Sequence, residues 1–456
     1  MKIHNPATGA VLADVAADNA KAVRAKYDRA RAAQPRWAAR PMARRLAAMR
    51  AFRGELLTRV EALARTLSEE VGKPIRQARN EVNGLTARLD FFLAESARAL
   101  RDERVFDSRE QKLEERISHE PLGVIANVSA WNYPYFVGGN VFVPALVAGN
   151  AVLYKPSEFA TLTGLHIAEM MRAAGVPDDV FVPVIGDGAT GAALLRQPVD
   201  GVFFTGSYAT GAKIAAGAAR RMIKVQLELG GKDPAYVADD VDVKAAAAAL
   251  ADGAFYNTGQ SCCSVERIYV HEAVHDAFVA AFVAEVKGYA QGDPLDEKTY
   301  IGAITRKPQL AVLRRQVADA LKKGATLKLG GAPMRRKGNW FAPTVLTDVD
   351  HSMAVMRDES FGPIIGLQPV ADDDAAVELM NDTEYGLTAG VYCRDEKRAK
   401  KILKRVNAGT VYWNCCDRVS PRLPWSGVKH SGIGLTLSTM GIQTFTRPKA
   451  WHLFKR

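Results

Sequence analysis

Between residues 123 and 232 the chain repeats one cycle, a short apolar strand followed by a helix, and this alternation limits the folds open to it. GVIANVSA is apolar and β-branched enough for a buried strand, and AVLYK is another, ended by Pro156. The helix TLTGLHIAEMMRAAG follows and stops at Gly175. FVPVI, GVFFT and KVQLEL are further strands, separated by the helical stretches ATGAALLRQ and ATGAKIAAGAARR. The pattern predicts an α/β fold with a parallel, doubly wound sheet, which binds ligands at the carboxyl ends of its strands. A second cycle starts near Asp233, with the helix AAAAALADGAFYNTG, the strand RIYVH and the helix HDAFVAAFVAEVKG. Later pairs run through GVYCR and EKRAKKILKRV, so a second α/β domain is expected, as a chain of 456 residues is too long for one core.

Flanking segments read differently. From Asn19 to about Leu100 apolar positions recur at three and four residues, which predicts several amphipathic helices. QKLEERISH, residues 111 to 119, interleaves apolar and charged side chains like an exposed strand. The apolar stretch from Val124 to Tyr154 is broken by Asn127, Asn132, Pro134, Gly138, Gly139, Asn140 and Pro144, and so reads as buried protein rather than a membrane span. A Gly- and Pro-rich stretch from Ser420 to Gly434 is expected to form loops near the site of the second domain.

The net charge of +11 invites a nucleic-acid reading. Its basic residues are dispersed, however, and the densest stretches, Arg36 to Arg53 and Lys397 to Arg405, recur at helical spacing, as solvated helix faces do. The segment MKIHNPATGAVLADV has no apolar core of signal-peptide length, so no secretory route is expected. The cysteines at 262, 263, 393, 415 and 416 form neither a disulfide framework nor a CxxC zinc spacing, which favours a reducing cytoplasm.

Several turns carry residues suited to chemistry, each with an ordinary reading beside it. GDGATG, Gly186 to Gly191, matches GxGxxG between a strand and a helix. The ribose-binding acid expected downstream is missing from FFTGS, so a simple strand-to-helix turn reads better. At Phe204-Thr205-Gly206-Ser207 free N–H groups and the Ser207 hydroxyl can face an anion, unless Ser207 merely caps the helix. Lys155-Pro156-Ser157-Glu158 sets a cation and a carboxylate at a strand end, where they suit sugar hydroxyls or form an exposed ion pair. Glu228, in Glu228-Leu229-Gly230-Gly231-Lys232, emerges at the top of the sheet. There a partly apolar setting raises its proton affinity toward that of a general base, while the plain alternative is a solvated edge carboxylate.

The segment Asn257-Thr258-Gly259-Gln260-Ser261-Cys262-Cys263-Ser264 surrounds two thiols with polar side chains, as a reactive cysteine requires, although most buried cysteines are inert. Adjacent cysteines point different ways, so only one serves a given site. His271-Glu272-Ala273-Val274-His275 matches HExxH, but it straddles a strand-to-helix junction, and no metal is expected there.

These motifs stand in one order: NPATG, Trp131-Asn132-Tyr133-Pro134, KPSE, FTGS, ELGGK, GQSCC, Glu359-Ser360-Phe361-Gly362-Pro363 and Pro424-Trp425-Ser426-Gly427-Val428-Lys429. Over nearly its whole length the chain resembles the aldehyde dehydrogenase superfamily. The resemblance implies NAD-dependent oxidation of an aldehyde to a carboxylic acid. The family's spacing from the glutamate of ELGGK makes Cys262 the nucleophile and Cys263 its neighbour. Asn132 is implied to serve the oxyanion with the Cys262 N–H, and Glu228 to activate the water that hydrolyses the thioester. Lys155 and Glu158 resemble the adenosine-ribose ligands, Gly206 and Ser207 the pyrophosphate turn, and Glu359 and Phe361 the nicotinamide clamp. An acid at Glu158 favours NAD⁺, with NADP⁺ tolerated through Lys155.

By the same resemblance the fold is two Rossmann-like α/β domains plus a small β oligomerisation element. Residues 1–102 and 122–232 would bind the cofactor, 233–442 would be catalytic, and 103–121 with 443–456 would bridge subunits in a homodimer or homotetramer. The substrate pocket is implied at Tyr133, Asn140, Ser261, Val419 and Trp425. At Asn140 many relatives carry an aromatic residue, and those binding carboxylated semialdehydes carry an Arg. Val419 stands where succinate-semialdehyde enzymes resemble one another in a Ser anchor. Both departures weigh against a dicarboxylic semialdehyde, and only half of an aromatic cage for a quaternary ammonium, Tyr133 and Trp425, remains. Arg418 and Arg422, in the same loop, could anchor an anion differently, although surface charges are the favoured reading in so Arg-rich a chain. A CoA-acylating enzyme or a catalytically silent member of the fold are the alternatives, and the presence of Glu228, Cys262 and Asn132 argues against both.

Overall fold

The computed structural model describes residues 1–454, so Lys455 and Arg456, the end of the tail expected to bridge subunits, lie outside the described residues. A hairpin of β1 (Lys2–His4) and β2 (Val11–Asp14), not foreseen from sequence, opens the chain. Four helices follow, α1 (Ala20–Ala38), α2 (Met42–Thr58), α3 (Val60–Val71) and α4 (Ile75–Ala99), where the amphipathic period predicted them. Each buries one apolar face, and α3 ends on Gly72 in the left-handed conformation that glycine adopts without strain. Next come β3 (Glu103–Ser108) and β4 (Leu113–Pro121), the exposed strand anticipated at residues 111–119.

The alternation beyond residue 123 folds as its apolar period requires. In chain order it runs β5 (Val124–Val128), α5 (Pro134–Ala148), β6 (Ala151–Lys155), α6 (Thr161–Ala173), β7 (Phe181–Pro183), α7 (Gly188–Leu195), β8 (Gly201–Thr205), α8 (Tyr208–Ala219) and β9 (Lys224–Glu228). The five strands lie parallel in the order 9-8-5-6-7. The chain therefore winds outward from β5 in one direction and later restarts beside it at β8. The carboxyl ends of β5 and β8 splay there and leave a crevice. α5 carries no charged side chain and is buried on nearly all sides, with Pro134 at its first turn and Gly149 closing it.

The second winding places β10 (Asp233–Val237), α9 (Val243–Phe255), β11 (Val265–His271), β12 (Thr326–Leu329), β13 (Thr344–Thr347), β14 (Ile364–Val370), β15 (Thr388–Tyr392) and β16 (Thr410–Trp413). Seven of these are strands of one sheet, in the order 12-13-14-11-10-15-16, parallel except for the edge strand β12. Both windings are thus the doubly wound α/β units expected. The loop from Ser420 onward then returns to the first sheet. β17 (Gly432–Ile433) pairs antiparallel with β9, setting Gly432 opposite Glu228. β18 (Thr446–Phe454) ends the described chain and pairs along its length with β4, giving a separate antiparallel sheet ordered 18-4-3. Among the described residues no helix is long and apolar enough to cross a membrane.

Candidate active site

Glu228 closes β9 and is buried, with 6% of its surface exposed. It is not a solvated edge carboxylate because β17 covers it, and removal from water pushes its pKa up to about 7. Hydrogen bonds from the Thr436 hydroxyl and from Gln226 Nε2 at 3.0 Å, and the charge of Arg88, act the other way.

The thiol loop lies between α9 and β11, where polar contacts hold it and its cysteines pack against the apolar core. Asn257 and Thr258 both adopt positive φ, at 53° and 59°, a conformation that costs a β-branched threonine about 1–3 kcal/mol and needs firm support. Thr258 Oγ1 accepts from Gly302 N at 2.9 Å, and Gln260 Oε1 accepts from Thr305 N at 3.0 Å. Ser264 Oγ donates to the carbonyls of Gly253 and Ala254. Asn132 is tied into this network from the start of α5. Its side-chain amide donates to the Gln260 carbonyl at 3.2 Å, and its own carbonyl accepts from Asn257 Nδ2 at 3.2 Å. The amide carries a second N–H, for which no partner is found among the described residues.

Both cysteines are free thiols, but they differ. Cys262 is half-buried, whereas Cys263 is buried and its Sγ contacts Asp417 Oδ1 at 2.9 Å. A hydrogen bond with Cys262, then burial and the Asp417 charge, push the Cys263 thiol well up, so it stays protonated.

Cys262, Cys263, Ser261 and Glu228 line one cavity of about 890 Å³, together with Tyr133, Asn140, Val419 and Trp425. The structure brings all five expected pocket residues to the thiol and the carboxylate. Arg418 and Arg422 line the same cavity while remaining exposed, so they face its mouth. Tyr133 stacks on Phe136 with ring centroids 5.8 Å apart, and the Lys73 ammonium lies 3.8 Å from the Tyr133 centroid.

A second cavity, of about 920 Å³, opens at the crevice between β5 and β8. Lys155, Glu158 and Gly206 line it, along with Trp131, Lys213 and Arg196. Lys155 is buried and donates to the Pro156 carbonyl at 3.2 Å, and Glu158 accepts from Ser157 Oγ at 3.3 Å, so the two make no exposed ion pair. Gly206 N donates to the Glu228 carbonyl at 3.0 Å and so joins this crevice to the thiol cavity. The two glycine turns behave differently. Asp187 accepts from Ala189 N and Thr190 N, filling the amino end of α7 with the protein's own carboxylate, as in an ordinary turn. Ser207 heads α8 without a side-chain cap, its hydroxyl donating instead to Thr210 Oγ1 at 3.2 Å, so the first amides of α8 stay open to an anion.

Glu359 reaches back to Gly231 N at 3.2 Å, and burial pushes its pKa up to about 8. Gly230 permits this approach, because a Cβ there would meet Glu359 Oε1 at 2.2 Å. Phe361, at φ 48°, packs edge-on against Trp131 with centroids 5.5 Å apart. The two HExxH histidines do not share a helix face: His271 ends β11 and accepts from Ala273 N, while His275 contacts Asp276. Among the described residues no group of three His, Cys, Asp or Glu is arranged to hold a metal ion.

A family profile described as the aldehyde dehydrogenase family matches residues 1–451. The chain belongs to that family. It is 35% identical to the chloroplastic aminoaldehyde dehydrogenase of Arabidopsis thaliana, over 99% of this chain and 92% of the relative. Among solved structures, an NADP dependent enzyme of E. coli superposes with a TM-score of 0.97 at 32% identity, covering 100% of this chain and 94% of that one. An NAD-dependent aldehyde dehydrogenase of Sinorhizobium meliloti does so with a TM-score of 0.96 at 35% identity, covering 99% and 91%. As an aldehyde dehydrogenase, this protein is an oxidoreductase acting on aldehydes.

Sequence reading missed the residues of this aldehyde dehydrogenase that support the site from behind. Lys73 and Glu81 form a fully buried ion pair; Lys73 Nζ also donates to the Asn132 carbonyl at 2.7 Å, and Glu81 accepts from Tyr135 N at 2.9 Å. Lys232 and Glu266 pair at 2.7 Å, and Glu266 accepts from the amides of Ser360 and Phe361, fixing the loop that carries Glu359. Arg88, also buried, donates to Asn140 Oδ1 at 2.8 Å. A signal existed on α4, where Glu81 and Arg88 share the spacing of Leu85 and Phe92 and so put charges on its core face.

Proposed function

We propose that the protein oxidises an aldehyde to a carboxylic acid with NAD⁺ through covalent catalysis at Cys262. The observation that carries this reading is the convergence of Cys262 and Glu228 on one cavity, with Asn132 hydrogen-bonded into the loop that carries Cys262 and Cys263 locked against Asp417. The Cys262 thiolate adds to the aldehyde carbon, and the free N–H of Asn132, with the Cys262 amide, receives the charge that builds on oxygen. The nicotinamide, when bound, supplies the hydride acceptor that turns this adduct into a thioester. Glu228 takes a proton from water, the hydroxide equivalent attacks the thioester, and the acid leaves as the thiol is restored.

The crevice chemistry supports a dinucleotide. Open amides at the head of α8 suit a pyrophosphate, Lys155 and Glu158 suit ribose hydroxyls, and the packing of Phe361 on Trp131 of the crevice supports a nicotinamide clamp of Glu359 and Phe361. Glu158 sets the preference for NAD⁺. The exposed edges of the 18-4-3 sheet, with Val105, Phe106 and Phe454 uncovered, support pairing with a second copy in a homodimer or homotetramer, and sedimentation would measure it. The deciding experiment is steady-state NADH formation across a broad aldehyde panel, with and without CoA. Sustained turnover without CoA supports hydrolysis by Glu228; turnover only with CoA, or none, overturns it.

A further inference from the structure

Arg88 projects from α4 into the thiol cavity with only 6% of its surface exposed. Its hydrogen bond among the described residues is the single one to Asn140, and no carboxylate lies within ion-pair distance. A guanidinium has five N–H donors, and burying one without an anion is costly unless something else meets it. The acids around the cavity are each engaged elsewhere. Glu81 pairs with Lys73, Asp90 with Arg53 at 2.7 Å, and Asp252 accepts from Tyr300 at 2.5 Å. Asp417 holds Cys263, and Glu228 holds Thr436 and Gln226. Among the described residues no carboxylate makes a direct ion pair with Arg88 inside or with Arg418 and Arg422 at the mouth, although the charges of Glu228 and Glu81 reach Arg88.

The aromatic side chains point the same way. Lys73 sits on the Tyr133 ring, and the Arg88 guanidinium lies 3.8 Å from the Phe136 centroid. Tyr133 and Phe136 are stacked on each other, so a cation of the protein already stands at each end of this pair. A quaternary ammonium or amine would find both ring faces taken and would meet the like charge of Arg88, that of Lys73 being paired with Glu81.

We propose that Arg88 is the anchor for a carboxylate at the far end of the substrate, making this enzyme selective for short aldehydes that bear a carboxylate. The proposal rests on the reading of this cavity as the aldehyde site. It revises the expectation drawn from Asn140, because the cation arrives from α4 and Asn140 orients it. The close approach of α4 and α5 allows this: a Cβ on Gly84 would meet the Phe136 ring at 2.6 Å, and one on Gly139 would meet Leu85 at 2.5 Å. The carboxylate takes the unused N–H groups, the aldehyde reaches Cys262, and a dicarboxylate is released.

The test compares kcat/KM for succinate semialdehyde and glutarate semialdehyde with butanal, pentanal and 4-aminobutanal, in the wild type and in Arg88→Met, which keeps an apolar stem over Phe136. The wild type should prefer an acidic aldehyde. The ratio of acidic to neutral kcat/KM should fall about 100-fold in Arg88→Met and be partly restored in Arg88→Lys. Succinate should raise the melting temperature of the wild type and not that of Arg88→Met, a readout independent of turnover. If Arg88→Met does not fold, the wild-type preference and its stabilisation by succinate decide alone. Equal or better use of neutral or cationic aldehydes overturns the proposal while leaving aldehyde oxidation intact. An unchanged ratio in Arg88→Met, with the preference abolished by Arg418→Gln and Arg422→Gln, also overturns it. No oxidation of any aldehyde removes the underlying reading, and the proposal with it.

Discussion

The Thr436 hydroxyl donates to Glu228 Oε1, the same oxygen that accepts from Gln226 Nε2 at 3.0 Å. Among the described residues no side chain donates to Oε2. One carboxylate oxygen is thus fixed and the other is left to meet a water. The partner comes from a distant part of the chain, since Thr436 follows the strand β17 that lays Gly432 opposite Glu228.

With its pKa pushed up to about 7, Glu228 is largely protonated at pH 6 and cannot take a proton from water. The rate of thioester hydrolysis should therefore fall about tenfold per pH unit below that value. Thr436→Val removes a hydrogen bond that favours the ionised form, so the acid limb should move to higher pH by about one unit. Single-turnover rates against pH, measured after the NADH burst, check this. An acid limb unmoved in Thr436→Val would separate the hydroxyl from the base.

The two adjacent thiols should behave oppositely. Cys262→Ala should abolish NADH formation, while Cys263→Ala, which removes a protonated thiol from Asp417, should keep most of it. Iodoacetamide should label Cys262 first, because Cys263 is buried and held protonated. Peptide mass spectrometry after a brief exposure reads the order directly, and labelling of Cys263 first would reverse the assignment.

Lys73 and Glu81 predict a stability effect with a catalytic one attached. Lys73→Met leaves a buried carboxylate unpaired and should cost about 3–5 kcal/mol in denaturant unfolding. Lys73→Met with Glu81→Leu removes both charges and should recover much of that loss. The double variant still lacks the donor to the Asn132 carbonyl, so its acylation rate should stay below that of the wild type. Full recovery of both stability and acylation would mean that Lys73 does not position Asn132.

The sequence legibility of this fold follows from what the period of side chains records. The parallel strands from Val124 to Glu228 are buried on both faces, so their continuous apolar runs announce them. The hairpin of Lys2–His4 and Val11–Asp14 is short and half-exposed, and its pattern says little. At the site, Cys262, Asn132 and Glu228 are singled out through the resemblance to the aldehyde dehydrogenase family, because each stands in one of the motifs that carry it. Lys73, Arg88 and Thr436 are not, because their roles arise from contacts between residues far apart in the chain. The second β-return is the clearest case. Nothing in the Gly- and Pro-rich stretch from Ser420 to Gly434 says that two of its residues will pair with β9 and cover Glu228.

Glu158 lines the crevice beside Lys155, Arg196 and Lys213, and its carboxylate accepts only from Ser157 Oγ among the described residues. A negative charge at the ribose end suits a hydroxyl donor and repels a phosphate, while the five cations lining the crevice, Arg220 and Arg221 included, do the reverse. The proposed preference for NAD⁺ thus depends on one acid set among bases. Glu158→Gln removes the repulsion and leaves the cations, so kcat/KM with NADP⁺ should rise by about 10- to 100-fold, and that with NAD⁺ should fall. The change with NADP⁺ should shrink as salt is added, because the cations nearest the solvent are screened. Steady-state kinetics with both cofactors at low and high salt check the argument. If the wild type already uses NADP⁺ as well as NAD⁺, the cations outweigh Glu158 and the preference proposed here is wrong.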